Sequence, residues 1–262
     1  MSATIRASLP SLSHTTLSDW SHVYEPSEDT FLLCDALARD APRIRTSGAR
    51  GEAPALVLEL GSGSGVVSAV LLGLLRTPTP PAETPRHQPS PTDSQAAPCA
   101  LCIAVDVSGP ACVLTLSTAR AAGVGARLDA VRCDFLGPLA ARLKGAADIV
   151  VWNPPYVPTP ADEVPSVGEL ASAGFEADPL PAAWAGGDRG RTVIDRVLPC
   201  IPLALRRPAG GDKGGVAYIL LLEENAPMEI AEMLATHGLR AEIVETTRAA
   251  NELLHVLRVT WI

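Results

Sequence analysis

The chain predicts an open α/β sheet of about seven strands, mostly parallel, with helices on both faces and an antiparallel hairpin at its end. Three observations carry that expectation. The apolar run ALVLEL (55–60) passes directly into GSGSG and then into an apolar, helix-like stretch ending near Leu75. Strand-like and helix-like runs then alternate, as parallel strands joined by crossover helices require. The last two runs, AEIVETT and ELLHVLRVTWI, are joined only by RAAN, too short for a crossover, and so predict an antiparallel pair.

The elements follow in order. Ser27 to Ala38 shows helical spacing, with Pro26 before it and Glu28 and Asp29 suited to its start. After the 55–75 unit, RTPTPPAETPRHQPSPTDSQAAP (76–98) is crowded with proline and polar residues and predicts a surface insertion. The strand pattern resumes in CALCIAVDV (99–107), and Pro110 suits the first turn of a helix running to about Ala122. LDAVRCD (128–134) and ADIVVW (147–152) are the next strands. Residues 153–190, rich in Pro, Gly and Ala, are too long for a mere connection and predict a substrate loop. A helix (191–206), the strand GVAYILLLEE and a helix (226–237) lead to the hairpin. The expected organisation is a flexible N-terminus (1–21) and a single domain (22–262).

Composition narrows the function classes. With 262 residues, 47% hydrophobic, and a mean hydropathy of +0.20, the chain can bury a sizeable core. A net charge of -8 and a pI near 5.1 argue against a dominant nucleic-acid surface, though a local basic patch stays open. The six cysteines are scattered through apolar segments, as reduced intracellular thiols are. Cys99 and Cys102 form a C-x-x-C, but no second pair lies at zinc spacing, so no metal site is expected. No apolar stretch approaches the roughly 20 residues of a membrane span, and the start lacks a secretory h-region. The opening MSATIRASLPSLSHTTLS shares its Ser/Thr content, Arg6 and lack of acids with transit peptides, yet reads better as a frayed terminus. The expected location is the cytoplasm, with the nucleus as an alternative.

The glycine turn runs Glu59, Leu60, Gly61, Ser62, Gly63, Ser64, Gly65. A dinucleotide fingerprint needs glycine or alanine at position 66, where Val66 stands. A pyrophosphate also avoids a nearby carboxylate, whereas a ligand carrying ammonium and sulfonium charges favours one. Gly61, Gly63 and Gly65 let the backbone approach such a ligand, and Glu59 can orient its ammonium end. A second acid, to hold a ribose diol, is expected about 20 positions on. Asp106 lies 41 residues past Gly65, but removing the 23 residues of 76–98 leaves 18, so Asp106 is the candidate. Asp134 and Phe135, at the tip of the third strand, could bond and pack on an adenine; a helix N-cap would also select Asp134.

The run ADIVVW ends in Asn153-Pro154-Pro155-Tyr156. Prolines fix φ and restrict the preceding residue, so the backbone here is held in one direction at the carboxyl edge of the sheet. An amide or exocyclic amine has two N–H donors, which the Asn153 side-chain oxygen and the Pro154 carbonyl can receive, with Tyr156 stacking on the planar group or walling the pocket. Together these pieces resemble the Rossmann-like class I methyltransferases that use S-adenosylmethionine, and Asn153 to Tyr156 is similar to the N/D-P-P-Y motif of those that methylate a planar nitrogen.

Two further segments, Tyr24-Glu25-Pro26-Ser27-Glu28-Asp29-Thr30 and Ala183-Trp184-Ala185-Gly186-Gly187-Asp188-Arg189-Gly190-Arg191, resemble the HemK-type glutamine methyltransferases, most of all their eukaryotic and archaeal branch. The resemblance implies N5-methylation of the glutamine in the Gly-Gly-Gln loop of the class I translation release factor. It places Tyr24 and Thr30 near the cofactor, and Trp184 as a substrate-loop wall or an anchor for that loop. It also implies a heterodimer with a small zinc-binding activator protein paired along the edge strand 128–133; an exposed edge strand is a ready template for such pairing. The insertion at 76–98 and the residues around 165–181 depart from the family pattern. Alternatives remain: methylation of a nucleic-acid base or a histone lysine on the same scaffold, or a nonenzymatic cofactor-binding scaffold. The acidic balance weighs against a base-flipping enzyme, and the absence of an evident base against lysine.

Overall fold

The computed structural model describes residues 9–47, 53–75, 100–172, 180–249 and 252–262. The expected insertion at 76–98, and Cys99, lie outside them. Helix α1 (Glu28–Arg39) turns Leu33 and Leu37 into the core and carries Glu28 and Asp29 in its first turn. A further helix, α2 (Ala41–Ser47), is not among the expected elements; Pro42 sits in its first turn, where the missing N–H is no loss.

Strand β1 (Ala55–Leu60) leads through the glycine turn into α3 (Val66–Leu74), then β2 (Ala100–Asp106) and α4 (Gly109–Ala121). Ser108 caps α4 by accepting from the Ala111 N–H, and Pro110 occupies the first turn. Next come β3 (Leu128–Arg132) and β4 (Ile149–Trp152). Beyond the corner are β5 (Val157–Pro158), α5 (Val167–Ser172), β6 (Ala185–Gly187), α6 (Thr192–Val197) and α7 (Cys200–Ala204). The chain closes with β7 (Val216–Leu222), α8 (Pro227–Ala235), β8 (Leu239–Ala249) and β9 (Glu252–Trp261).

The main sheet has seven strands in the order β3-β2-β1-β4-β7-β9-β8. Strands β3 to β7 run parallel, β9 is antiparallel to β7, and β8 to β9. Strands β4 and β7 are buried along their whole length, which explains why IVVW and VAYILLL read as continuous apolar runs. Each fully buried Leu or Ile of this core contributes roughly 1.5–3 kcal/mol. The winding reverses between β1 and β4, and the crevice at that switch point is where open sheets take ligands. The glycine turn and the Asn153 corner meet there: a Cβ on Gly61 would lie 3.8 Å from the Asn153 carbonyl oxygen.

Three expectations are corrected. The helix over 191–206 is two pieces, α6 and α7, because Pro199 lacks the N–H that would continue the ladder. The 153–190 segment is not a plain loop: β5 and β6 pair in parallel, Val157 N–H donating to the Trp184 carbonyl at 3.1 Å and Thr159 N–H to that of Gly187 at 3.0 Å. The tail expected to be flexible through residue 21 is packed from residue 9, because apolar anchors punctuate its polar composition. Leu9 and Leu12 rest on the main core, Trp20 packs with Val23 on Ala111 and Leu114 of α4, and His14 Nε2 lies 3.2 Å from Thr118 Oγ1. Among the described residues no helix is long and apolar enough to cross a membrane.

Candidate active site

The switch point opens into a cleft, where open α/β sheets take their ligands. Its wall is built by the segment His22 to Tyr24, the glycine turn, the end of β2 and the Asn153 corner.

At the end of β1, Gly61, Gly63 and Gly65 all take positive φ, of 65, 50 and 76°. Gly61 and Gly63 line the cleft. Gly65 does not; a Cβ there would lie 2.7 Å from the Thr115 Cα, so this glycine serves the close packing of α3 on α4. Asp106 ties the turn to β2: its carboxylate accepts Gly63 N–H and Ser108 N–H, each at 2.9 Å. Burial raises the Asp106 acid above the usual carboxylate range. Glu59, 4% exposed, accepts the Ser68 hydroxyl, and burial pushes it up to about 8. A cation in the cleft would favour its ionised form.

The corner is organised by a residue the sequence reading used only as a helix start. Asp29, 3% exposed, accepts Asn153 Nδ2–H at 2.9 Å and the Tyr156 hydroxyl at 3.0 Å on one oxygen, and Thr30 N–H at 2.6 Å on the other. A carboxylate only accepts, so it fixes the nitrogen end of the Asn153 amide toward itself. The amide oxygen therefore faces away from Asp29, and this Oδ1 is buried without a partner. Such an orphan costs about 1–3 kcal/mol, a burden explained when a ligand donor completes it.

The structure brings Thr30, Glu59, Gly61, Gly63, Asp106, Phe135 and Asn153 to the cleft wall. Others it places elsewhere. Asp134 does not reach the cleft: its carboxylate holds Arg196 of α6 at 2.5 and 3.0 Å, a bidentate pair that outcompetes a neutral partner. Tyr156 is no exposed stacking platform but a buried ring whose hydroxyl orients Asp29, and burial, then Asp29 itself, raises its phenol. Pro154 is buried, and Pro155 lines the cleft in its stead. Trp184 is also off the wall; Leu180, Ala182 and Ala183 stand there, while the Trp184 backbone anchors β5. Phe135, at φ 49°, meets Trp152 edge to face at 5.6 Å and lies under the Arg196 guanidinium. Asp29 escaped notice because an acid in a helical first turn is ordinarily a surface partner of the helix dipole. Its place in E-D-T, at the start of the amphipathic helix that precedes β1, was the available signal.

No protein-family model matches the chain. It is 36% identical over 249 residues to Methyltransferase HEMK2 of Mus musculus, covering 95% of this chain and 94% of that protein. The chain belongs to the HEMK2/Mtq2 family of methyltransferases. Similarity extends to the eRF1 methyltransferase catalytic subunit mtq2 of Schizosaccharomyces pombe, 31% identical over 258 residues, 96% of this chain and 95% of that one. Among solved structures, the E. cuniculi Mtq2-Trm112 complex, described as responsible for the methylation of the eRF1 translation termination factor, superposes with a TM-score of 0.52. It is 23% identical and covers 92% of this chain and 99% of that chain, so it shares the class I methyltransferase fold.

Family and fold together imply use of S-adenosylmethionine. In this HEMK2/Mtq2-family enzyme the residues present fit that group. A buried acid at Glu59 suits a cationic ligand, and Asp106 offers acceptors at the rim. Nothing lies within 4 Å of where a Gly63 Cβ would stand, which leaves room for close approach. Among the described residues no group of three His, Cys, Asp or Glu side chains is placed to hold a metal ion, and Cys102 is buried 3.3 Å from the Ser68 hydroxyl.

Proposed function

We propose that the protein transfers a methyl group from S-adenosylmethionine to the side-chain nitrogen of the glutamine in the Gly-Gly-Gln loop of the class I translation release factor. The observation that carries the reading is the Asn153 amide oxygen: buried, without a partner, and fixed in orientation by Asp29. It is an acceptor awaiting a donor at the switch point of the sheet. The printed description of the S. pombe relative, an eRF1 methyltransferase subunit, supports the choice of acceptor.

Bound S-adenosylmethionine supplies an electrophilic methyl group on a sulfonium. Glu59 would hold its positive amino acid end, and Asp106 the ribose hydroxyls. Asn153 Oδ1 accepts an N–H of the glutamine carboxamide, which holds a weakly nucleophilic nitrogen in one attitude and meets the positive charge that develops on it. The surplus proton leaves to solvent. Orientation and electrostatics thus replace a strong base.

The described residues form one domain, with residues 9–21 packed on its core, and the described part of the 153–190 segment flanks the substrate. The protein works in the cytoplasm as a heterodimer with a small zinc-binding activator paired along β3. That strand ends the sheet, and its neighbour β2 exposes Leu101, which such a partner would cover. The test is incubation of the purified chain, with and without the activator, with labelled cofactor and release factor, followed by mass mapping. Label on the Gly-Gly-Gln glutamine is expected; label on lysine or nucleic acid, and none there, would overturn the proposal.

A further inference from the structure

The Asn153 corner is gripped at its far end by a residue from the turn after β7, and we infer that Asn225 is a positioning residue that sets the corner's direction. The inference rests on the proposed methyl transfer. Asn225 follows β7 and is 0% exposed. Both its N–H donors and its oxygen are engaged. Oδ1 accepts the Leu222 N–H at 2.7 Å, and Nδ2 donates to the carbonyls of Tyr156 and Arg189, both at 2.9 Å. Its own carbonyl accepts from the Arg191 guanidinium at 3.1 Å.

The backbone around it is built to permit this junction. A Cβ on Gly190 would fall 1.9 Å from the Tyr156 carbonyl oxygen and 2.5 Å from Asn225 Nδ2, and one on Gly186 would fall 2.7 Å from the Pro155 carbonyl oxygen. Only glycine at positions 186 and 190 lets the chain lie this close to the corner. Three described residues other than glycine take positive φ, and two of them, Arg189 at 50° and Ala226 at 52°, flank the junction. Strain of that kind persists where the surroundings dictate it, and it gathers at working sites.

The mechanical consequence follows from the prolines. Pro154 and Pro155 have fixed φ, so the segment between Asn153 and Tyr156 is short and stiff. Asp29 holds the Asn153 amide at one end, and Asn225 holds the Tyr156 carbonyl at the other. Moving either end turns the whole corner, and with it the unpartnered oxygen. Neither the cofactor walls at Glu59 and Asp106 nor the glycine turn touches Asn225 through any hydrogen bond described above. Asn225 should therefore govern turnover and leave cofactor binding alone.

Asn225→Asp keeps the size but turns a donor into an oxygen facing two carbonyls. The expected result is a fall in kcat of roughly 10–100-fold, the effect of a small misplacement at a reacting centre. Calorimetric Kd for S-adenosylmethionine and KM for the acceptor should stay within about threefold of the parent. Asn225→Ser, which withdraws both N–H donors without adding a carboxylate, should give the same split and serves if the first variant does not fold. An unchanged kcat, or a Kd that rises in step with the loss of kcat, overturns the inference. The comparison uses whichever acceptor the parent protein methylates, so a wrong choice of acceptor shows as parent activity elsewhere and leaves this test intact.

Discussion

Around the glycine turn, the acids at the cleft are paired within the protein: Asp106 with the Gly63 and Ser108 N–H groups, and Glu59 with the Ser68 hydroxyl behind it. At the end of β4, by contrast, Asn153 carries a buried oxygen with no partner, although its nitrogen is firmly held. The first region is a turn whose shape is already made, so a ligand has little to reorganise. The second keeps an unmet acceptor in a stiff frame, a cost tolerated where a reacting group must be oriented. The contrast teaches that damage to the first should appear in affinity and damage to the second in turnover.

The sharpest attempt to break that division is Asn153→Ala, expected to lower methyl transfer by about 10²–10³-fold, as removal of a single well-placed polar group does. Cofactor Kd should stay nearly unchanged; calorimetry beside a single-turnover assay reads both, and loss of binding would erase the distinction. Asp29→Asn comes next. An amide can present either of its ends, so Asn153 would lose its fixed orientation and turnover should drop roughly 100-fold with little effect on affinity.

Asp106→Ala probes the other region. It removes the acceptor for two backbone N–H groups and the rim's acceptor for the ligand, so Kd should rise about 10-fold or more before turnover is affected. Glu59 gives a prediction in pH. Unfolded, its carboxyl titrates at 4.5, and in the fold at about 8. Between those values the native protein holds the extra proton, so stability falls as pH rises through that window; below it the contribution is flat. Glu59→Gln should remove this slope in denaturation series, and affinity for the cationic cofactor should cease to rise with pH toward about 8. The smallest effect is reserved for Arg196→Ala. Its pair with Asp134 is partly exposed, at 39% and 23%, and such pairs contribute at most about 1 kcal/mol, so Kd should move less than roughly fivefold.

The sheet was legible because its signals are periodic and local: ALVLEL before GSGSG, continuous apolar β4 and β7, and a link too short for a crossover closing the hairpin. The cleft was legible in Glu59, Asp106 and Asn153, whose residue types suit their strand-end positions. Asp29 and Asn225 were not, because each acts across more than 65 positions of sequence, on Asn153 and Tyr156. Asp134 misled for a related reason: its chemistry fits an adenine, but Arg196, 62 positions away, had first claim. Tyr156 likewise looked like a surface for stacking until the fold buried it against Asp29.

The measurement closest to the central claim is a crystal structure of the protein with S-adenosylhomocysteine and a peptide containing Gly-Gly-Gln. The Asn153 amide oxygen should lie about 2.9 Å from the glutamine side-chain nitrogen, with its own nitrogen still on Asp29. An Asn153 amide turned the other way, or a glutamine nitrogen bound with no contact to it, would contradict the account.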